Sequence, residues 1–246
     1  MISLRERRRN FLRKIQLKSE LSAYSKNMNP SNPLYGIARI FIGDSAVSDS
    51  EEFTYYDAFY FWSLNAIKDE IRPDLKLLDI GGKKLAAGMM SVFCDVTSGV
   101  LKRPNDGISN VTYIELDAGE KLPFRNSEFD VFMSPASIHT FGTGRYGDNL
   151  NPQAIPDFIQ ELYRIMKPGG YLFLELPVGP DLLRFNAGFN LSFETILKLF
   201  KEFTLKDYLF ESGNSEANFD SPRYSKDSDY KLNTLGYQNA FFAFQK

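Results

Sequence analysis

Cysteine, histidine and tryptophan each occur once in the 246 residues, as Cys94, His139 and Trp62. A single cysteine excludes an intrachain disulfide framework and a zinc site built from several thiolates, and a single histidine excludes a multi-histidine metal centre. No metal is therefore expected. No uninterrupted apolar run approaches the roughly 18 residues that span a bilayer, and the basic N-terminus lacks the apolar core of a secretory signal. These absences predict a protein of the reducing cytosol. A dominant charge is lacking too: 29 Lys and Arg stand against 31 Asp and Glu, a net charge of −2. Without an overall positive field, nucleic acid is not expected as a partner.

What is present suits a folded enzyme-sized chain. With 43% apolar and 24% charged residues the composition is that of an ordinary globular protein, enriched in aromatics by 22 Phe and 13 Tyr. The length allows one large domain or two small ones. The charge is uneven: residues 1–20 hold seven Lys or Arg and two Glu, a local +5 that leaves −7 on the remainder. Leu4, Phe11, Leu12, Ile15 and Leu17 punctuate this basic run. It reads either as an amphipathic helix lying on anionic lipid or on a protein partner, or as a solvated terminal helix.

From Asn27 to Glu52 the chain is broken by Pro30, Pro33, Gly36 and Gly43, and only Ala38–Ile42 looks strand-like. Phe53, Tyr56, Tyr60, Leu64, Ile67 and Ile71 then recur at helical steps until Pro73. Beyond them, β-type runs at Leu75–Ile80, Ser91–Val96, Val111–Leu116, Phe129–Met133 and Tyr171–Leu176 alternate with helical segments. The clearest helix runs over 153–166 and stops at Lys167-Pro168-Gly169-Gly170. Ser192 is placed to cap another helix, followed by strands Thr204–Phe210 and Tyr237–Phe244. Between those strands, Glu211–Lys231 reads as a long polar surface loop. Such alternation predicts an α/β fold with a mostly parallel sheet and crossover helices.

The chemistry-bearing stretch begins at Leu77-Leu78-Asp79-Ile80-Gly81-Gly82, a buried strand ending in an acid and a glycine turn ahead of a helix. Backbone N–H groups at such a turn can approach an anionic ligand. Asp95, read as the end of the next strand, is a carboxylate that could accept from both hydroxyls of a ribose. Further along stand Glu115-Leu116-Asp117-Ala118, Leu122-Pro123-Phe124, Glu128-Phe129-Asp130-Val131 and Met166-Lys167-Pro168-Gly169-Gly170.

In that order these segments resemble the class I S-adenosylmethionine-dependent methyltransferases over roughly residues 75–179. The resemblance implies a Rossmann-like seven-stranded sheet, mostly parallel with the last strand antiparallel, helices on both faces, and an N-terminal helical extension. It divides the chain into a basic helix and connector, 1–52, and a methyltransferase-like domain, 53–246. It implies S-adenosylmethionine as cofactor, with Asp79, Gly81 and Gly82 at its methionine part, Asp95 at the ribose, Asp117 and the Ala118 backbone at the adenine, and Ser134 alongside. Asp79 equally suits a turn cap, and Asp95 or Asp117 an exposed strand-end acid. Where the family turn carries three glycines at alternate positions, Gly81-Gly82-Lys83-Lys84-Leu85 keeps the first only. Lys83 or Lys84 is then available to pair with the methionine carboxylate.

Phe141-Gly142-Thr143-Gly144-Arg145-Tyr146-Gly147-Asp148, with Pro177-Val178-Gly179 and Phe185-Asn186-Ala187, is similar to an uncharacterised methyltransferase-like family. That family was first catalogued from nematodes and is also encoded near bacterial surface-polysaccharide genes. The resemblance implies a loop at the mouth of the site, where Arg145 offers a planar fork to a carboxylate or phosphate and Tyr146 stacks on a sugar. His139 and Asp148 are the candidates for receiving the acceptor's hydroxyl proton, with Glu175 as an alternative and Cys94 as core filler. The expected activity is O-methylation of a saccharide, nucleotide-sugar or similar small polar acceptor, in the cytoplasm or at the inner membrane face. The competing reading is a non-catalytic binding or scaffold protein of glycan assembly that keeps the fold.

Overall fold

Parallel strands buried on both faces need helices on both sides, and the chain supplies the two in alternation. The computed structural model describes residues 19–24, 26–27, 38–41, 55–211, 224–225 and 237–246. In chain order the elements are β1 (Ala38–Phe41), α1 (Tyr55–Ala66), β2 (Lys76–Ile80), α2 (Lys84–Met90), β3 (Asp95–Val100), β4 (Val111–Glu115) and β5 (Phe129–Ser134). A 3-10 turn (Ile138–Thr140), α3 (Ala154–Ile165), β6 (Met166–Val178), β7 (Leu182–Phe185) and β8 (Gly188–Asn190) follow. The chain then forms α4 (Phe193–Leu199), β9 (Thr204–Glu211), β10 (Tyr224–Ser225) and β11 (Gln238–Gln245).

The main sheet has the order β10-β9-β11-β6-β5-β2-β3-β4. The run from β4 to β6 is parallel, and β11 enters antiparallel between β6 and β9. This is the expected seven-stranded Rossmann-like sheet, lengthened at one edge by the two-residue β10. On one face, Phe59, Tyr60 and Ile67 around α1 pack with Ala87 and Met90 of α2 against Leu77, Val131, Phe173 and Phe241. On the other, α3 and α4 bury Phe158, Leu162 and Ile196 against Leu78, Phe132, Leu172 and Phe242. Alternation along β11 sends Phe242 and Phe244 to one layer and Phe241 to the other. Much of the aromatic excess is therefore packing: Phe200 stacks on Phe244 at 4.9 Å, and Trp62 meets Phe173 edge-on at 5.7 Å.

The clear helix is α3, whose buried Ile155, Phe158, Ile159, Leu162 and Ile165 form one face. Its end differs from the sequence reading, because Met166 opens β6 at once and pairs with Phe129, while Tyr171 pairs with Val131. Lys167–Gly170 thus bulge from the strand and bond to the last residue, Gly169 N–H donating to the Lys246 carbonyl at 2.8 Å. Ser192 caps α4 as expected, its Oγ accepting from Thr195 N–H at 3.1 Å.

One strand starts later than the sequence suggests, and Asp95 moves with it. Val92 and Phe93 look like strand residues, yet they are 72% and 61% exposed. They lie in the turn leaving α2, which is closed by bonds from Ser91 N–H to Ala87 and from Phe93 and Cys94 N–H to Met90. The strand proper begins at Asp95, in register with Lys76 at the start of β2. The expectation that Asp95 ends its strand is therefore corrected.

A second sheet, β1-β7-β8, was not foreseen beyond the strand-like Ala38–Ile42. β1 pairs in parallel with β7, and Tyr24, buried within the helical stretch 19–24, lies 6.0 Å from the Phe185 ring. Segments of 1–52 thus pack into 53–246. The basic run at 1–18 lies outside the described residues, as do the rest of the 27–52 connector and most of the 211–231 loop. Among the described residues no helix is long and apolar enough to cross a membrane.

Phe158 joins the sheet to the loop after β5, facing Phe132 at 5.9 Å and Phe141 edge-on at 4.9 Å. Phe158→Ala is expected to cost about 3–5 kcal/mol, read as a lower urea midpoint with the slope unchanged.

Candidate functional site

The carboxyl ends of β2, β3 and β4 and the loop after β5 surround a cavity of about 420 Å³. Its floor is the turn after β2. Gly81 has φ +79°, and a side chain there would run into Ser137 Oγ, so both backbone angle and space require glycine. At Gly82 a Cβ would strike the Tyr60 hydroxyl and both Asp79 carboxyl oxygens. The second glycine, out of register with the family pattern, is explained by these two side chains beneath it.

Asp79 is fully buried. Tyr60 Oη donates to its Oδ1 at 3.0 Å and the Gly82 N–H also donates to the carboxyl. Oδ2 has no hydrogen-bond partner. Burial raises its pKa to about 7 against those two bonds. Burial likewise lifts the Tyr60 phenol well above its ordinary value, with the Asp79 charge adding to it. Asp79 thus supports the turn from below.

Of the residues expected at the site, Gly81, Gly82, Asp117, Ala118, Tyr146 and Asp148 line the cavity. Asp117 Oδ1 accepts from Gly119 N–H at 2.8 Å and Oδ2 from Asn149 N–H at 3.3 Å. It therefore ties the end of β4 to the loop after β5. Asp148 braces that loop, accepting from Gly144 N–H and Tyr146 N–H, each at 3.1 Å. The Arg145 guanidinium lies 5.4 Å from the Tyr146 ring centre.

Other expected residues lie elsewhere. Asp95, at the amino end of β3, is five residues from Val100, roughly 16 Å of strand, and the cavity touches Ser98, Gly99, Val100 and Leu101 instead. The carboxyl end of β3, Ser98 to Leu101, carries no acid of its own; Glu115 of β4, in register with Val100, accepts from Arg103 N–H at 2.8 Å. Ser134 is fully buried at the end of β5 with its hydroxyl unpartnered. His139 packs against Gly188 of β8 rather than on the cavity wall. Burial and then the Arg145 charge pull its pKa to about 3, so the ring is neutral, and its Nδ1 has no partner. Glu175 is buried in mid-sheet, and burial, with Glu211 nearby, pushes its carboxyl well above the usual range. The two lysines of the turn are engaged: Lys83 lies 3.6 Å from Asp57 and 5.3 Å from the Tyr56 ring centre, and Lys84 pairs with Asp106 at 2.6 Å.

Sequence reasoning missed Tyr56, Ser98, Ser137 and Thr140 as wall residues. Only Tyr56 carried a signal, one turn before Tyr60 on α1. Among the described residues no cluster of three or more His, Cys, Asp or Glu could hold a metal.

Sheet order, cavity position and turn together are those of the class I methyltransferase fold. Residues 86–235 match the family described as "Caenorhabditis protein of unknown function, DUF268", and the chain belongs to that family. It is similar, at 29% identity over 124 residues, to the ubiquinone/menaquinone biosynthesis C-methyltransferase UbiE of Cereibacter sphaeroides, covering 43% of this chain and 45% of that protein. The chain thus matches less than half the length of this curated relative. Among solved structures, the 1,6-didemethyltoxoflavin-N1-methyltransferase of Burkholderia thailandensis with bound S-adenosylhomocysteine aligns at TM-score 0.54 and 13% identity, over 78% of this chain and 77% of that one. The cyclase SpnF aligns at TM-score 0.54 and 16% identity, over 95% and 96%. These likenesses show the fold, which hosts more than one chemistry.

The raised Asp79 pKa makes stability fall with pH. Between about 4 and about 7 the folded chain keeps a proton that the unfolded chain has lost, so unfolding free energy declines across that window. The decline is at most about 4 kcal/mol; Asp79→Asn should flatten it in urea titrations at stepped pH.

Proposed function

We propose that this chain is an S-adenosylmethionine-dependent methyltransferase that methylates a hydroxyl of a small polar acceptor such as a saccharide or nucleotide-sugar. The observation that carries this reading is the cavity where the Gly81–Gly82 turn, the Asp117–Ala118 end of β4 and the Ser137–Asp148 segment meet. Its size and its glycine floor suit the cofactor. Gly81 and Gly82 would receive the methionine part, Ser98 and Gly99 the ribose edge, and Asp117 with Ala118 the adenine.

The cofactor, when bound, supplies an electrophilic methyl on sulfonium. The chain's own part is alignment, exclusion of water and a destination for the hydroxyl proton. Asp148 is the better placed acceptor of that proton, being on the cavity wall. His139 faces β8, and its low pKa makes it a weak base. Tyr146, 57% exposed at the cavity rim, is placed to stack on a sugar ring.

The second reading, a non-catalytic binding protein of the same fold, is favoured by one feature: the residues with which β3 meets the cavity, Ser98 to Leu101, include no acid to clasp a ribose, and the neighbouring Glu115 is bonded to Arg103 N–H. Calorimetry with S-adenosylmethionine and S-adenosylhomocysteine separates the two. Both ligands are expected to bind, Asp117→Ala to weaken them roughly tenfold, and Asp95→Ala to leave them unchanged. No heat with either ligand at millimolar concentration would remove the methyltransferase reading.

The same reading puts the chain in the cytosol, with the basic residues 1–20 against an anionic membrane face or a protein partner. Vesicles containing phosphatidylserine should co-sediment the full chain but not a form lacking residues 1–20; equal recovery of both forms disproves the membrane contact.

A further inference from the structure

Lys83 follows the Gly81–Gly82 turn, at the position where the methyltransferase turn carries its second glycine. Its backbone does not call for any particular residue, since φ −74° and ψ 134° are extended values open to all. Nor does its side chain serve α2, which it precedes as N-cap: an ammonium has no acceptor to offer, and no capping bond is made.

The side chain reaches instead to the first turn of α1. Nζ lies 3.6 Å from Asp57 Oδ1 and 5.3 Å from the centre of the Tyr56 ring. One turn further along α1, Tyr60 Oη donates to Asp79 at 3.0 Å, and the Gly82 N–H donates to the same carboxyl. The glycine turn thus holds α1 at two levels, through the buried Asp79 and, at the start of the helix, through Lys83.

These two attachments differ in kind. Tyr60 and Asp79 are buried, whereas the side chains of Lys83 and Asp57 are 40% and 34% exposed. An ion pair in that setting adds little to global stability, so its effect is local. The N–H groups in the first turn of a helix lack intrahelical partners, and helix ends are where local opening is easiest. Tyr56 sits in that turn, and it lines the cavity together with Gly81 and Gly82, while Lys83 does not.

We propose that Lys83 is a positioning residue, which ties the first turn of α1 to the glycine turn and so keeps Tyr56 against the ligand at the methionine end of the cavity. The proposal rests on the methyltransferase reading for the identity of that ligand; the tie itself is measurable in the ligand-free chain. Lys83 then acts through Tyr56 and not by pairing with the cofactor's carboxylate.

The test begins with hydrogen exchange of the full chain, without ligand, in the wild type, Lys83→Met and Lys83→Arg. In an α-helix the Tyr60 and Phe61 amides bond to the carbonyls of Tyr56 and Asp57, so they report on the first turn. Lys83→Met should speed their exchange roughly fivefold, the combined effect of one exposed ion pair and one exposed cation–π contact. The urea midpoint should stay close to the wild type's, and Lys83→Arg should restore protection. Calorimetry then compares S-adenosylhomocysteine with adenosine, which lacks the amino-acid end. Lys83→Met should weaken S-adenosylhomocysteine about two- to fivefold and leave adenosine unchanged. In a Tyr56→Ala chain it should add no further loss, since nothing is left to position. A general loosening of the fold would instead move both ligands together. Unchanged exchange in Lys83→Met, equal losses for the two ligands, or a full additional loss in the Tyr56→Ala chain would each overturn the proposal. A wild type that binds neither ligand fails the methyltransferase reading, and the exchange result then decides the tie on its own.

Discussion

The Gly81–Gly82 turn rests on a carboxyl group that has been taken out of water. Asp79 is fully buried at the end of β2 and is held by the Tyr60 hydroxyl and the Gly82 N–H. Much of the site follows from this contact. Tyr60 requires α1 to cross this face of the sheet, which also places Tyr56 on the cavity wall. The space taken by Tyr60 and Asp79 leaves room for no side chain at residue 82, and Ser137 leaves none at residue 81. Helix, turn and the loop after β5 are thereby fixed to one another around one buried acid.

Buried polar groups are distributed unevenly over the molecule. Towards the amino ends of the strands they are paired. Asp130 accepts from Lys167 Nζ at 2.8 Å and from the Lys76 N–H at 2.9 Å, and these contacts outweigh the burial that would raise its pKa. Arg164 binds Glu161 and the carbonyls of Leu122 and Phe124. Towards the carboxyl ends, Asp79, Ser134, His139, Asn190 and Gln238 each keep a buried polar atom without a partner. Gln153 at the start of α3 and Glu175 in mid-sheet do the same; unpaired buried groups lower stability, so polar pairing holds this end of the sheet less firmly than the other.

What could be read in the sequence depended on how local its cause was. α3 declares itself through one apolar face and the glycines after it, and Ser192 through a cap satisfied three residues on. The turn at Gly81 and the end of β4 were readable because a short stretch of chain fixes each. Asp95 was misplaced because the exposed Val92 and Phe93 imitate a strand, and only the hydrogen bonds leaving α2 reveal a turn. The β1-β7-β8 sheet pairs residues about 140 positions apart, and no local pattern announces such a pairing. Arg184 was unreadable for the same reason: its burial depends on a strand partner and on Tyr237, which lies far along the chain.

These two kinds of legibility bear differently on function. The segments that resemble methyltransferases are local, and they build the cofactor end of the site, which many chemistries share. The rest of the cavity wall is assembled from distant pieces: Tyr56 of α1, the Ser137–Phe141 stretch, and Tyr146 with Asp148. The departures from the family pattern fall on the shared end, at Lys83, at Leu85 and at the end of β3, whose own residues carry no acid. The side chains at those two glycine positions turn away from the cavity: Lys83 faces Asp57 and Leu85 is exposed.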